Sequence, residues 1–210
     1  MAITVLIAED HQLVRQGLKV LLEHAGFKVV GEAENGQKAW ELAQELKPDV
    51  AILDIAMPIL NGIDAAREIG RVSIKTRTIF LTMHADCQYV LDGLRAGAKG
   101  FVMKTNAADD LAQAVRKAAR GYTYLSPEIS EAVFRAYRTE TDLPADPLTS
   151  RERQILQLIA EGKSTKEAAT ALDISVKTAE TYRTRIMEKL DIHKTASLVR
   201  YAVRRRMVQA

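Results

Sequence analysis

The sequence predicts an α/β protein in which a doubly wound, five-stranded parallel sheet is followed by a small all-helical module. Short β-branched runs alternate with amphipathic stretches as far as Arg120, and these runs are apolar at successive positions. Residues 147–210 carry only helical signals. Strands that are apolar on both faces and are separated by helices indicate a parallel sheet covered by helices on both sides.

Five strands and five helices are expected before residue 121. The apolar runs that predict strands are Ile3–Ala8, Val29–Ala33, Val50–Asp54, Thr78–Thr82 and Gly100–Met103. The stretches with helical periodicity are Gln12–His24, Gln37–Leu46, Asp64–Gly70, Asp86–Ala96 and Ala108–Arg120. Each strand is therefore followed by a helix, which is the order of a repeated βα unit.

A boundary between two domains is expected after this repeat. Gly121 is a helix stop, Ser126-Pro127-Glu128 begins a short helix, and the polar stretch that follows contains Pro144 and Pro147. We therefore predict a first domain at 1–122, a linker with a short helix at 123–146, and a second domain at 147–210.

The second domain is expected to contain four helices. Thr149-x-x-Glu152 and Ser164-x-x-Glu167 are capping boxes that each open an amphipathic segment. Ser175 is placed to cap a third helix that runs to Leu190, and a fourth covers roughly 195–207. Gly162 and Asp173 are expected at the turns.

Composition excludes several classes of protein. With 47% hydrophobic and 27% charged residues, the chain matches globular proteins rather than disordered ones. The single Cys87 cannot form an internal disulfide, which favours a reducing cytoplasm. No apolar stretch of about 18 residues occurs, so no membrane span is expected.

Charge is unevenly distributed along the chain. Residues 1–123 hold 15 basic and 15 acidic side chains, residues 124–146 hold 2 and 5, and residues 147–210 hold 13 and 7. A basic tail behind an acidic connector suggests a module that meets a polyanion. A solvated helical surface explains the same charge equally well.

Polar side chains follow the predicted strands. Glu9 and Asp10 come after the first strand, Asp54 ends the third, Thr82 ends the fourth and Lys104 follows the fifth. In doubly wound sheets ligands bind at these strand ends. Clustered carboxylates favour Mg²⁺, and a lysine with a hydroxyl suits a phosphoryl group. Taken singly, each residue is better explained by a helix cap, a turn or a solvated charge. The combination, however, favours phosphoryl transfer to a carboxylate.

The C-terminal segment has the spacing of a helix-turn-helix. A short helix, Lys166–Leu172, is followed by a tight turn and the helix that starts at Ser175. The apolar positions of this second helix, which we expect in the core, are Ala179, Tyr182, Ile186 and Leu190. An ordinary solvent-exposed amphipathic helix would have the same composition.

Residues 1–120 resemble the receiver domain of bacterial two-component response regulators. The resemblance lies in the segments AEDHQLVRQGL, DVAILDIAMPILNG, IFLTMHAD and AGAKGFVMK. It implies a flavodoxin-like fold in which Asp54 accepts phosphate from a sensor histidine kinase. It also implies that Glu9 and Asp10 form an acid pocket, that Asp10, Asp54 and the Ala56 carbonyl ligate Mg²⁺, and that Lys104 pairs with the phosphate. Thr82 and Phe101 would be the switch residues, with Phe101 turning inward on phosphorylation.

Residues 148–192, LTSRERQILQLIAEGKSTKEAATALDISVKTAETYRTRIMEKLDI, resemble the LuxR-type DNA-binding module. With the receiver they make the chain similar to NarL/FixJ-type response regulators. The resemblance implies contacts to double-stranded promoter DNA from Lys163, Ser164, Thr165, Lys177, Thr178, Glu180, Thr181, Thr184, Arg185 and Lys189. It implies a homodimer, when phosphorylated, through Leu198, Val199, Ala202 and Val203. RNA polymerase is a candidate partner.

Two other functions fit parts of the pattern. A phosphatase of the haloacid-dehalogenase type also uses an aspartyl nucleophile, but it needs a second aspartate two residues later, where this chain has Ala56. A degenerate receiver that only binds proteins is disfavoured because the five functional positions carry competent side chains. We therefore predict a phosphorylation-switched, cytoplasmic transcription factor that catalyses only its own phosphorylation and dephosphorylation.

Overall fold

The computed structural model describes residues 2–83, 87–138, 147–205 and 207–208. The chain divides into two compact units, one that contains the sheet and one that contains the last helices. The predicted linker residues 139–146 and the start of the predicted fourth helix, Asp86, lie outside the described residues. No helix in the described part of the chain is long and apolar enough to cross a membrane.

The first unit contains a parallel sheet of six strands. They are β1 (Thr4–Ala8), β2 (Lys28–Ala33), β3 (Val50–Asp54), β4 (Arg77–Thr82), β5 (Gly100–Met103) and β6 (Tyr124–Leu125). Their order across the sheet is β2-β1-β3-β4-β5-β6, and every pair is parallel. This order reverses direction next to β1, as it does in doubly wound folds.

The prediction of five strands was one short. β6 lies in the segment predicted as linker, and it pairs with β5 through Gly100–Tyr124 and Phe101–Leu125. Two residues are too few to show a period in the sequence. The strand exists because the Tyr124 and Ser126 amides donate to the Lys99 and Phe101 carbonyls at 2.9 and 3.0 Å.

Helices cover both faces of this sheet. They are α1 (Gln12–His24), α2 (Gly36–Leu46), α3 (Gly62–Val72), α4 (Cys87–Arg95), α5 (Ala107–Ala119) and α6 (Pro127–Arg138), with a 3₁₀ turn at Lys104–Asn106 before α5. Leu18 and Leu22 of α1 and Leu111 and Val115 of α5 share a buried core with alternate strand residues such as Ile52. The side chains between those strand residues, including Phe80 and Phe101, are buried on the other face.

The second unit is all-helical, as predicted. It contains α7 (Ser150–Ala160), α8 (Thr165–Ala171), α9 (Val176–Leu190) and α10 (Thr195–Arg204). Both capping boxes are present, at Thr149–Glu152 and Ser164–Glu167. Gly162 and Asp173 have positive φ, of 84° and 51°, at the two predicted turns. The last helix ends at Arg204, three residues before the predicted end.

Candidate functional site

The sheet order brings the predicted strand-end residues to one edge. β1, β3, β4 and β5 are adjacent in that order, and all of them point the same way. Glu9 directly follows β1, Asp54 and Thr82 end β3 and β4, and Lys104 directly follows β5. The fold therefore explains why residues so far apart in the sequence can act together.

Lys104 lies between two buried carboxylates. Its Nζ is 2.8 Å from Glu9 Oε2 and 2.9 Å from Asp54 Oδ2. The Glu9 side chain is fully buried and that of Asp54 is 5% exposed. One ammonium group cannot balance two carboxylates, so the site keeps a net negative charge that favours a further cation.

Burial shapes the protonation of this cluster. It raises the pKa of Asp54 to about 6, because desolvation and the neighbouring charge of Glu9 outweigh the opposing charge of Lys104. Burial also works to lower the pKa of Lys104, but the charge of Asp54 and hydrogen bonds to both carboxylates raise it overall. The lysine therefore stays charged, and Asp54 holds its proton to a higher pH than an exposed aspartate does.

Asp10 extends the cluster toward solvent. His11 Nδ1 lies 2.9 Å from Asp10 Oδ1 and 3.4 Å from Glu9 Oε1. The hydrogen bond to Asp10 raises the pKa of His11. Donor atoms of Glu9, Asp10 and His11 lie within 4.8 Å of one another, so they could hold a metal ion. His11 was not predicted from the sequence, where its only signal is its position next to two acidic residues.

Two further predicted receiver residues lie at or just after strand ends. Thr82 is buried at the end of β4, and Ala56 is half-buried in the segment that follows Asp54. Every peptide bond in the described residues is trans, including Lys104–Thr105.

Gly62 is a second residue that the sequence analysis missed. Its amide donates to the Ile55 carbonyl at 2.9 Å, and a Cβ at this position would overlap the carbonyl of Asp54. Asn61 caps the helix that begins here, because its Oδ1 accepts the Asp64 amide at 2.9 Å. The Asn-Gly pair, which is a common turn signal, could have indicated this close approach.

Phe101 already lies inside the first unit. It is fully buried, and its ring centroid is 5.1 Å from that of Phe80. A Cβ at Gly93 of α4 would overlap Phe101 Cζ, so the ring fills the space that this glycine leaves. The structure therefore shows Phe101 in an inward position, and its role as a switch residue stays a prediction.

In the second unit, α8 and α9 form the predicted helix-turn-helix. Ser175 caps α9 by accepting the Thr178 amide at 3.1 Å. Ala179 and Ile186 are buried in the core, and Tyr182 and Leu190 pack against it. The predicted DNA contacts that are exposed are Lys163, Ser164, Lys177, Thr178, Glu180, Thr181, Thr184, Arg185 and Lys189, while Thr165 is half-buried.

The hydroxyls on this surface have local partners. Thr181 donates to the Lys177 carbonyl at 2.9 Å, and Thr184 donates to the Glu180 carbonyl at 3.1 Å. Ser164 donates to Glu167 in its capping box at 2.7 Å. Because these protons are engaged, the oxygens of these hydroxyls can act toward a ligand only as acceptors.

The comparisons with known proteins cover almost the entire chain. The model of the response regulator receiver domain matches residues 5–116, and the model of bacterial regulatory proteins of the luxR family matches residues 146–202. The chain belongs to the response regulators. More specifically, it combines a receiver domain with a LuxR-family domain, as NarL/FixJ-type response regulators do.

Individual relatives agree with this assignment. The transcriptional regulatory protein LiaR of Bacillus subtilis is 38% identical over 209 residues, with 98% of this chain and 99% of LiaR covered. A structure of the RcsB response regulator of Salmonella typhimurium has a TM-score of 0.60 at 28% identity and covers 95% of this chain and 97% of that one. An RcsB–DNA complex also has a TM-score of 0.60 at 28% identity, with 96% and 98% covered.

Lys189 of this response regulator has a partner within its own domain. Its Nζ lies 2.7 Å from Glu152 Oε2, which also accepts the amide and hydroxyl of Thr149 at 2.7 and 2.9 Å. The Glu152 side chain is 3% exposed. Hydrogen bonds from Lys189 and Thr149 overcome the effect of burial and lower the pKa of Glu152. Lys189 thus joins the end of α9 to the start of α7, and its contact with a DNA phosphate stays a prediction that competes with this ion pair.

Only part of the predicted dimer surface on α10 is accessible to a partner. Leu198 and Ala202 are fully buried in the core of the second unit, so they cannot also form a dimer surface. Their burial follows from the helical period, which turns one side of α10 toward α7. Val199 and Val203 are half-buried and line an open groove with Ile192, Ser197, Arg200 and Arg204.

Proposed function

We propose that this response regulator accepts a phosphoryl group on Asp54 and that this modification switches its dimerisation and its binding to promoter DNA. Support comes from one observation above all: the Lys104 ammonium lies within 2.9 Å of a buried Asp54 carboxylate oxygen at the edge of a parallel sheet. A cation in that position can pair with a phosphoryl oxygen once Asp54 has reacted. Thr82 would donate to another phosphoryl oxygen.

The donor is a phosphohistidine of a sensor histidine kinase. An Asp54 oxygen attacks phosphorus, an O–P bond forms, and the N–P bond breaks with its electron pair going to the imidazole, which then takes a proton. The response regulator would thus catalyse its own phosphorylation, with the kinase phosphohistidine as phosphodonor, and its own dephosphorylation. The ionised form of Asp54 is the nucleophile.

Mg²⁺ fits the donor set of this site. Asp10, Asp54 and the Ala56 carbonyl would hold the ion, with Glu9 beside them, and all of these ligands are oxygens of the kind Mg²⁺ prefers. The buried Glu9 and Asp54 carboxylates, which share one lysine, supply the negative charge that a divalent cation needs. When bound, Mg²⁺ neutralises charge on the phosphoryl oxygens.

DNA is the proposed ligand of the second unit. Residues 147–210 hold 13 basic and 7 acidic side chains, and α9 exposes Lys177 and Arg185. Lys177, Thr178 and Arg185 would contact phosphates, with Glu180, Thr181 and Thr184 nearest the bases. Lys163, Ser164 and Thr165 would reach a phosphate from the start of α8. The similarity to an RcsB–DNA complex supports this assignment.

The proposed function also includes a cellular location, further partners and the domain limits. A cytoplasmic location suits a protein that meets both a kinase and chromosomal DNA, and RNA polymerase is a candidate partner at the promoter. Val199 and Val203 remain as the candidate dimer contacts on α10. The proposed domain limits are 1–122 and 147–210, with the linker at 123–146, although β6 and α6 within that linker pack on the first unit.

Phosphorylation can be tested by intact-mass measurement. With acetyl phosphate and Mg²⁺, the wild-type chain should gain one phosphate. Asp54→Asn should gain none, and neither should wild type from which a chelator has removed the Mg²⁺. Glu45→Gln, which alters an exposed carboxylate on α2, is the matched control and should behave as wild type. A phosphate adduct that persists in Asp54→Asn would contradict the assignment of Asp54 as the phosphorylated residue.

A further inference from the structure

An open groove lies at the end of α5, on the first unit. It has a volume of about 390 Å³, and it is lined by six exposed side chains, Gln113, Arg116, Lys117, Arg120, Tyr122 and Thr123, which together we call the α5 groove. Three of these side chains are cations and none is a carboxylate. The 13 residues of α5 separate the groove from the turn of Lys104 by about 20 Å. Its volume lies in the range of small-molecule sites, about 300–1,000 Å³.

The cations of the α5 groove lack the acidic partners that cations at other helix ends have. At the end of α4, Arg95 pairs with Asp92, three residues earlier, at 3.2 Å, and the last turn of α3 contains the same kind of pair. In α5 the residue three positions before Arg116 is Gln113. Over the described ranges of the chain, no carboxylate lies within ion-pair distance of the three groove cations. Their positive charge is therefore available to an anion.

The turn after α5 places an aromatic residue beside these cations. Gly121 has a φ of 86°, a left-handed conformation that favours glycine and reverses the chain at the helix end. The Tyr122 amide consequently donates back to the Lys117 carbonyl at 3.0 Å. Tyr122 is 66% exposed, so a ligand can reach its ring. Basic side chains next to an exposed aromatic ring are typical of sites that bind phosphates and bases together.

Contacts within the first unit hold two of the cations in place. The Arg116 guanidinium lies 5.2 Å from the ring centroid of Phe27, and its Nη2 donates to the Ala25 carbonyl at 3.2 Å. The Lys117 Nζ lies 5.2 Å from the ring centroid of Tyr124. Long basic side chains lose conformational freedom when they bind a ligand, and these contacts reduce that cost. A ring and a carbonyl carry no net charge, so the positive charge stays uncompensated.

We propose that the α5 groove binds a nucleoside diphosphate or triphosphate. The phosphates bind to the three cations, and the base stacks on Tyr122. Three positive charges suit a chain of two or three phosphates, and they outweigh the negative end of the α5 dipole, which is equivalent to about half an elementary charge. The Gln113 amide and the Thr123 hydroxyl add uncharged donors.

Calorimetric titration of the full-length protein with ADP tests this proposal. Mg²⁺ is left out, so that no metal ion links the nucleotide to the carboxylates around Asp54. We expect one ADP to bind per chain. Pyrophosphate, which has the phosphates but no base, should bind at least about fivefold more weakly, because no base stacks on the ring. Adenosine, which has no phosphate, should show no binding.

Variants of exposed residues assign the binding to the groove. Arg120→Gln removes one cation and should lower the ADP affinity at least about tenfold. Tyr122→Ala should lower it at least about fivefold and leave pyrophosphate binding unchanged, whereas Tyr122→Phe keeps the ring and should bind ADP as the wild type does. Arg95→Gln is the matched control, because it removes the same charge from the end of another helix and should have no effect.

Four results would overturn the proposal. The first is a wild type that binds no ADP, and the second is an Arg120→Gln variant that binds ADP as tightly as the wild type. The third is an equal loss of affinity in Arg95→Gln and Arg120→Gln, which would indicate general electrostatic attraction. The fourth is equal binding of pyrophosphate and ADP, which would indicate a phosphate site without a base. None of these measurements involves phosphorylation of Asp54, so their failure leaves the proposed function unaffected.

Discussion

Among single residues, Gly93 leaves the space that the Phe101 ring occupies. A side chain at position 93 would overlap the Phe101 ring and approach Phe80 Cε2 to 2.7 Å. Both phenylalanines are fully buried in well-packed surroundings. The glycine weakens α4 as a helix, but it makes room for two aromatic rings.

Gly93→Ala should therefore destabilise the receiver domain. Alanine favours a helix over glycine by about 0.5–1 kcal/mol, but overpacking against two rings costs about 1–3 kcal/mol. We expect a lower urea midpoint, measured by the fluorescence of Trp40, the only tryptophan, which lies in α2. Gly17→Ala is the control, because nothing lies within 4 Å of a Cβ there and α1 should become more stable. A stabilising Gly93→Ala would contradict this packing of the two rings against α4.

Tyr124 provides a pH test at the same scale. Its hydroxyl donates to Asp110 Oδ1 at 2.8 Å, and burial followed by this hydrogen bond raises its pKa to about 12. The folded state therefore keeps the phenol proton between pH 10 and 12, where the unfolded state loses it. The resulting stability is fully present below pH 10 and is lost as pH rises toward 12.

The stability difference between wild type and Tyr124→Phe should consequently shrink at high pH. At about pH 8 the variant should be less stable by about 1 kcal/mol, and the gap should narrow by about pH 11. Urea unfolding of both proteins at the two pH values measures this difference in the free energy of unfolding. Tyr122→Phe is the control, since Tyr122 is 66% exposed and should have little effect. A gap that stays constant with pH would argue against the raised pKa.

At the scale of elements, α9 has one exposed basic side and one anchored end. Lys177 and Arg185 are exposed, whereas Lys189 contacts the buried Glu152 of α7. Breaking that pair leaves a buried carboxylate with one partner fewer, which is costly even though Lys189 is partly exposed. Replacing Lys177 should therefore weaken DNA binding, whereas replacing Lys189 should destabilise the domain.

Salt titrations of DNA binding distinguish them. Lys177→Ala should reduce the slope of log affinity against log salt by about 0.9, because one phosphate contact is lost. Lys189→Ala should keep the slope and instead lower the unfolding midpoint of the DNA-binding domain. If Lys189→Ala reduced the slope as much as Lys177→Ala, the lysine would contact DNA after all.

These elements show what sequence reasoning could and could not predict. The strand-end residues Asp54, Thr82 and Lys104 were predictable because topology alone brings them to one edge of the sheet. β6 was missed because two residues carry no periodicity. Three features depend instead on which side chains a neighbouring element places against them, and local sequence patterns do not predict such contacts. They are the inward position of Phe101, the partner of Lys189 and the burial of Leu198.

At the scale of the whole molecule, a neutral domain and a basic domain are joined by an acidic segment. The receiver domain holds a buried carboxylate cluster that one lysine cannot balance, and the LuxR-family domain exposes a basic helix face. The proposed function requires that phosphorylation of the first domain change DNA binding by the second.

The most direct test is the DNA affinity of the full-length protein before and after phosphorylation. Binding to a library of bacterial promoter fragments is measured with Mg²⁺, with and without acetyl phosphate, on samples whose phosphate content is known from intact mass. We expect phosphorylation to increase affinity for the selected fragments at least about tenfold, or about 1.4 kcal/mol, and we expect no change for Asp54→Asn. Equal affinity of the fully phosphorylated and unphosphorylated wild type would contradict the central claim that Asp54 switches DNA binding.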